Sequence, residues 1–211
     1  MTTTNDPHKI TDLAQLEKQI GEPIPGVALK VLDRIEAFAR DFIAESPFLV
    51  LATADADGNM DASPKGDAPG FVEIADDRTL LIPDRPGNKL IYGHRNILAN
   101  PSVGVLFLRP GTNETLRING RAELTRDPEL LARLAARGKE ATLVIRVRID
   151  EVFFHCAKAF VRSNLWKPEK WLERKKVPLA KMLAPIIDPN AGDDFAETIQ
   201  NLIDQDERDN L

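Results

Sequence analysis

Sulfur offers this chain almost no structural help: its 211 residues include a single cysteine, Cys156. No intramolecular disulfide can form and no cysteine cluster can hold zinc, a usage compatible with a reducing compartment. Long apolar runs are missing too. None approaches the roughly 20 residues needed to span a bilayer, and the opening MTTTNDPHKI lacks the apolar centre of a leader peptide, so the expected location is cytoplasmic with no membrane partner. There is no basic excess: 28 Lys and Arg stand against 33 Asp and Glu, a net charge of −5. That balance argues against a nucleic-acid partner, which calls for a basic surface. Hydrolytic signatures are also lacking. There is no Gly-x-Ser-x-Gly elbow, no His-Glu-x-x-His and no framed Cys/His pair.

What is present is an ordinary globular composition, 43% hydrophobic and 29% charged, long enough for one domain with a core of its own. Residues 1–45 read as an N-terminal helical arm. A short helix is expected from Asp12 to Ile20. A longer amphipathic one is expected over Val27–Ala44, where Val31, Leu32, Ile35, Phe38, Ala39, Phe42 and Ile43 recur at three- and four-residue steps. Ser46-Pro47 ends it. Residues 46–170 are strand-rich. Phe48–Ala54 and Met60–Lys65 flank the turn Asp57-Gly58-Asn59; Phe71–Ile74 and Thr79–Ile82 flank Ala75–Arg78. Further strands are expected at Val103–Leu108, Thr115–Leu124, Leu143–Ile149 and Val152–Phe160, with helices over Asn88–Leu98 and Pro128–Arg137. Short turns and no βαβ rhythm predict an antiparallel barrel or sandwich, mainly β with flanking helices. Residues 171–211 form a C-terminal extension, rich in proline and charge, with one helix over Phe195–Ile203 and an acidic tail, Asp204–Asp209.

Three polar clusters interrupt the strands. In Ser63-Pro64-Lys65-Gly66-Asp67 the Ser63 hydroxyl and the Lys65 ammonium share one strand face; the plain alternative is a solvated strand end with Asp67 pairing Lys65. In Pro83-Asp84-Arg85-Pro86-Gly87-Asn88-Lys89 a turn leads into a helix, whose first N–H groups attract anions; the alternative is ordinary capping. This is not a P-loop, since the glycine spacing and the following Ser/Thr are missing. The third, Lys158–Trp166, joins Lys158, Arg162 and Ser163 to the flat indole of Trp166. Its alternative is Trp166 and Trp171 packing the C-terminal extension on the barrel. Arg117 lies on the exposed face of its strand, near its beginning, where it could meet a ligand. His155 and Cys156 are neighbours on a strand and point to opposite faces, so no metal site is expected. Together the clusters suit a phosphorylated, ring-bearing ligand.

With these pieces in order, the chain resembles the pyridoxamine 5′-phosphate oxidase-like FMN-binding split-barrel family, in its branch of flavin-nucleotide-binding proteins. The segments that carry the likeness are SPKGD, DDRTLLIPDRPGNK, NILANPSVGVLFLRPGTNETLRINGRAEL and FFHCAKAFVRSNLWKP, spanning roughly residues 45–170. The resemblance implies a six-stranded antiparallel split β-barrel and a homodimer with FMN shared between the subunits. It implies that Ser63, Lys65, Asp84, Arg85, Asn88 and Lys89 bind the cofactor with Arg117, and that Lys158, Arg162, Ser163 and Trp166 close the site, from the second subunit. A flavin-dependent oxidoreductase is the function implied, taking electrons from a small-molecule donor and passing them to a small-molecule acceptor. No catalytic side chain is identified. The alternatives are a flavin carrier or sensor without turnover, or a split barrel holding haem or F420. One departure stands out. Pyridoxamine phosphate oxidases end in an Arg-Leu-His-Asp-Arg-like segment that this chain lacks, which argues against pyridoxamine phosphate as the substrate.

Overall fold

A computed structural model describes residues 6–210; positions 1–5 of the expected N-terminal arm and Leu211 lie outside them. Seven strands make one antiparallel sheet: β1 (Phe48–Ala54), β2 (Met60–Gly66), β3 (Glu73–Asp76), β4 (Thr79–Asp84), β5 (Ser102–Leu108), β6 (Thr115–Thr125) and β7 (Leu143–His155), in the order β2-β1-β5-β6-β7-β4-β3. Alternation sets the inward face. Leu49 and Leu51 on β1, Val105 and Phe107 on β5, Leu116 and Ile118 on β6, and Ile145 and Val147 on β7 are each at most 1% exposed. Their neighbours on these strands face outward. Helix α1 (Leu13–Ile20) is capped by the Asp12 carboxylate and buries none of its residues, while α2 (Ala37–Glu45) plugs the barrel with Phe42 and Ile43. Helix α3 (Tyr92–Ala99) packs on β1, β2 and β6, and α4 (Pro128–Arg133) lies against β7. Among the described residues no helix is long and apolar enough to cross a membrane.

The sheet has seven strands where six were expected, and it does not close. β2 and β4, far apart in the sheet order, curl toward one another. The first three residues of β4 are paired with β3 on one side and with β7 on the other. No backbone ladder joins β2 to β4 among the described residues. Side chains bridge the seam instead. Lys65 Nζ of β2 lies 2.6 Å from Asp84 Oδ1 at the end of β4. Reciprocally, Arg85 Nε donates at 2.8 Å to Asp67 Oδ2, just past the end of β2. The four side chains are between 5% and 19% exposed. Asp67 thus pairs Arg85 and not Lys65.

Several expected elements change for identifiable reasons. Val27–Ala44 is not one helix. Val27–Lys30 is a 3-10 turn, and Leu32 exchanges backbone hydrogen bonds with Val152 of β7 at 2.9 and 2.7 Å, which holds that stretch extended until α2 begins. The helix expected from Asn88 starts at Tyr92, because Lys89 and Ile91 are left-handed with φ of 59° and 51°. The two strands expected at Leu143–Ile149 and Val152–Phe160 are one, ending at His155. A bulge at Asp150 inserts an extra residue opposite the Asn119–Gly120 step, so the buried positions run Ile145, Val147, Ile149 and then Val152. The chain then turns helical in α5 (Lys158–Ser163). The C-terminal extension holds α6 (Leu179–Ile187), unforeseen because Pro185 lies inside it, and α7 (Asp193–Asn210), longer than expected; they pack on each other through Ala180, Ala184 and Ile199.

At the bulge β6 and β7 come unusually close. A Cβ at Gly120 would stand 2.2 Å from the Arg148 carbonyl oxygen. Gly120→Ala should therefore lower the unfolding free energy by roughly 1–3 kcal/mol, read as an earlier denaturant midpoint; an unmoved midpoint would show that the ladder yields. The seam makes a second prediction. Burial alone would raise the Asp84 carboxyl, but the His94 and Lys65 contacts outweigh it and hold Asp84 below the ordinary carboxylate value. Burial likewise pushes Asp67 up, and the Ala68 N–H, Arg85 and Arg137 outweigh it. The folded state therefore binds fewer protons than the unfolded one in the acid range. Its gain is whole above about pH 4 and drains away as pH falls through the two depressed values. The melting temperature should decline below about pH 4, and Asp67→Asn/Asp84→Asn should start lower and lose less over that window. Parallel acid limbs in the two proteins would refute the assignment.

Candidate functional site

The seam is the floor of a recess in the molecule. β2 is an edge strand, so Pro64 can sit within it without breaking a ladder, facing outward. Asp61, Ser63 and Lys65 alternate to the other side and are half-buried. The Ser63 hydroxyl donates to Asp61 Oδ2 at 2.6 Å. Across the seam Asp84 ends β4, and residues 85–91 loop over to the start of α3. There the Asn88 side-chain oxygen accepts the Leu90 N–H at 3.1 Å. Ile91 is β-branched and left-handed, an uncommon backbone state that persists only where the surroundings over-determine it. These elements line an open cleft of about 430 Å³, a size suited to a small ligand.

Of the residues singled out in the sequence, the fold brings Ser63, Lys65, Asp84, Arg85, Asn88 and Lys89 to this one cleft. The first two clusters, some twenty residues apart in the chain, are therefore one site. Their roles within it differ. Lys65 and Asp84 are largely spent on each other. Lys89 and Asn88 are exposed on the overhanging loop, beside the first N–H groups of α3, which have no intrahelical acceptor and carry the positive end of the helix dipole.

The site also contains residues that the sequence reading passed over: Asp61, Tyr92, Thr142 and above all His94. In sequence His94 is one of several residues on a helix face. In the fold its side chain is only 16% exposed, with Nε2 3.4 Å from Asp84 Oδ1. That is close enough for attraction when the ring is charged but too loose to count as a good hydrogen bond. Both ring nitrogens, and Arg85 Nη1, are buried without a hydrogen-bond partner. The one sequence signal was position: His94 follows closely on the polar cluster 83–89.

The third cluster lies elsewhere in the chain. Arg117 is on the outer face of β6, its guanidinium 5.4 Å over the Phe153 ring. On α5, Lys158 and Arg162 are exposed, and the Ser163 hydroxyl donates to the Phe160 carbonyl at 3.1 Å. Trp166 stacks on Phe160 at 5.9 Å, and its Nε1 donates to the Thr112 carbonyl at 2.7 Å. It packs the turn between β5 and β6 and borders a second recess of about 190 Å³ with Asn113, Asn164 and Lys167. Trp171 is 58% exposed. His155 and Cys156 are exposed, and among the described residues no three His, Cys, Asp or Glu side chains gather as metal ligands.

Known proteins place this architecture. No curated protein sequence matches the chain. Among solved structures, HupZ of Group A Streptococcus is 19% identical, with a TM-score of 0.48, over 57% of this chain and 93% of its own. A putative pyridoxamine 5′-phosphate oxidase from Lactobacillus delbrueckii is 22% identical, with a TM-score of 0.46, over 58% and 95%. An FMN-binding protein from Syntrophomonas wolfei is 10% identical, with a TM-score of 0.43, over 56% and 88%. The family model described as pyridoxamine 5′-phosphate oxidase matches residues 35–156, more than half of the chain and every strand of the sheet. The chain belongs to the pyridoxamine 5′-phosphate oxidase family.

Proposed function

We propose that the cleft binds FMN and that the protein is a flavin-dependent oxidoreductase acting on a small molecule. The observation that carries this reading is a set of unsatisfied buried nitrogens. Arg85 Nη1 and the two His94 ring nitrogens are buried and unpaired, and both residues line this cleft. Buried polar groups of native proteins are overwhelmingly hydrogen-bonded, so an accepting ligand is the natural partner. The donor set fits a phosphate monoester. Lys89, Asn88 and the N–H groups opening α3 supply charge and hydrogen bonds for the phosphate, with Arg85 and His94 beneath them. Asp61 and Ser63 offer acceptors and a hydroxyl for sugar-alcohol groups. Leu90 and Tyr92, both exposed at the rim, give apolar surface to a ring.

When bound, the flavin supplies the redox chemistry by taking up and passing on electrons. The chain's own residues bind and orient it, and their net positive lining favours an anionic ring system. The lack of the Arg-Leu-His-Asp-Arg-like segment argues for a substrate other than pyridoxamine phosphate.

The same reading makes the protein a homodimer. Arg117, Lys158, Arg162, Ser163 and Trp166 lie outside their own chain's cleft, and the two cations of α5 are exposed, as residues reaching a partner's site would be. The outward face of β1 and β5 presents Val50, Ala52, Leu106 and Leu108, all half-buried, a surface on which a second copy could sit.

The absorption spectrum of the purified protein, with mass spectrometry of any released ligand, tests the cofactor. Flavin bands with FMN released are expected, followed by bleaching under anaerobic NADH or NADPH. A colourless protein that takes up no added FMN would sink the reading. Arg85→Ala and His94→Ala should each weaken FMN binding roughly tenfold to a hundredfold. Arg162→Ala should weaken FMN binding and dimerisation together; a monomer that still binds FMN tightly would remove the shared site.

A further inference from the structure

Asp67 contributes nothing to the lining of the cleft, yet its carboxylate is among the most buried charges on the border, with 5% of the side chain exposed. Its two oxygens are divided between two arginines. Oδ2 accepts Arg85 Nε at 2.8 Å; Oδ1 accepts the Ala68 N–H at 2.9 Å and Arg137 Nη1 at 3.3 Å. A guanidinium is a rigid planar fork, so a bond through Nε fixes the plane of the whole group. That leaves Arg85 Nη1 buried and without a hydrogen-bond partner, on a residue that lines the cleft. Arg137 comes from outside. With Gly138 it forms a tight turn closed by reciprocal backbone bonds between Ala136 and Lys139 at 2.9 and 3.0 Å. Its own φ is +50°, a backbone state that side chains with a Cβ disfavour. The contact with Asp67 is the one side-chain partner found for this strained, half-exposed arginine among the described residues.

We propose that Asp67 is a positioning residue for the cleft: braced by Arg137, it locks Arg85 through Nε so that Nη1 is preset for an oxyanion of the bound ligand. The surface turn at Arg137 thereby tunes affinity at a site it does not touch. The inference rests on the reading that an anionic ligand, FMN, occupies the cleft, and it adds a mechanism of preorganisation. Partners that orient a metal ligand from behind commonly matter tenfold to a hundredfold in affinity, and the same physical logic applies to a guanidinium held for an oxyanion.

The test is a cycle of FMN titrations, followed by flavin fluorescence, on the wild type, Asp67→Asn, Arg137→Ala, Arg85→Ala and the two double variants with Arg85→Ala, each with its melting temperature. Asp67→Asn should bind about tenfold more weakly and Arg137→Ala a few-fold more weakly. Neither should weaken binding further once Arg85 is alanine, because both act through it. Losses that add to that of Arg85→Ala, or unchanged affinity in Asp67→Asn, would overturn the proposal. Should Asp67→Asn fail to fold, Arg137→Ala alone decides, since it removes only a half-exposed partner. A wild type that binds inorganic phosphate but not FMN would defeat the flavin reading and leave the cycle to be read with phosphate. A wild type that takes up neither overturns both.

Discussion

Two ion pairs, crossed between β2 and β4, hold together what the sheet leaves open. Lys65 reaches from β2 to Asp84, and Arg85 reaches back from β4 to Asp67. Such pairs add little net stability when buried, because desolvation consumes most of the attraction, but breaking one by removing a single partner is costly. Their value lies in geometry. A ladder of backbone bonds would have sealed the barrel and buried the strand ends. Side-chain struts join the same strands while leaving room between them, and that room is the cleft. The site and the seam are thus one feature, and the residues that could hold a ligand are the ones that keep the barrel from opening.

This double duty changes how the cations there should be counted. Lys65 and Arg85 are each half-neutralised before any ligand arrives. The cleft is therefore only mildly positive, in keeping with an acidic chain that concentrates cations locally. On the proposed reading, affinity for an anion comes from directed groups: the N–H groups of α3, Lys89 on its loop, and the buried, unpaired nitrogens of Arg85 and His94. Preorganised donors of this kind cost little reorganisation when the ligand enters. The left-handed Lys89 and Ile91 belong to the same arrangement, since they bend the loop so that α3 starts where its N-terminus faces the seam.

Much of the fold was legible because alternation is a strong signal. Leu116 and Ile118 alternate with Arg117 and Asn119 and announce both strand and face, whereas the apolar runs 48–54 and 103–108 announce the strand but not which face turns inward. What failed did so where a local rule was overridden by a distant partner. Leu32 fits a helix stripe, but Val152 claims its backbone. The rhythm of β7 breaks at Asp150, so one strand reads as two. Pro185 hides α6, which packs on α7. In the site, the clusters around Ser63 and Asp84 were visible as polar breaks in apolar sequence. That they form one cleft was not, because it depends on how far the sheet curls. His94 was invisible for the opposite reason: a histidine on an amphipathic helix has many ordinary explanations, and only its buried, unpaired nitrogens set it apart.

The bulge at Asp150 sets the phase of everything that follows it. Upstream, odd-numbered residues of β7 face the core. Downstream, Val152 is buried and Phe154 meets the edge of Phe42 at 5.4 Å, while Phe153 lies under Arg117 on the outside. Strict alternation through the same residues would turn Glu151 and Phe153 inward and swing Val152 out, like a frameshift written in space instead of codons. The helix bearing Lys158 and Arg162, with Trp166 just beyond it, follows directly from the end of that strand.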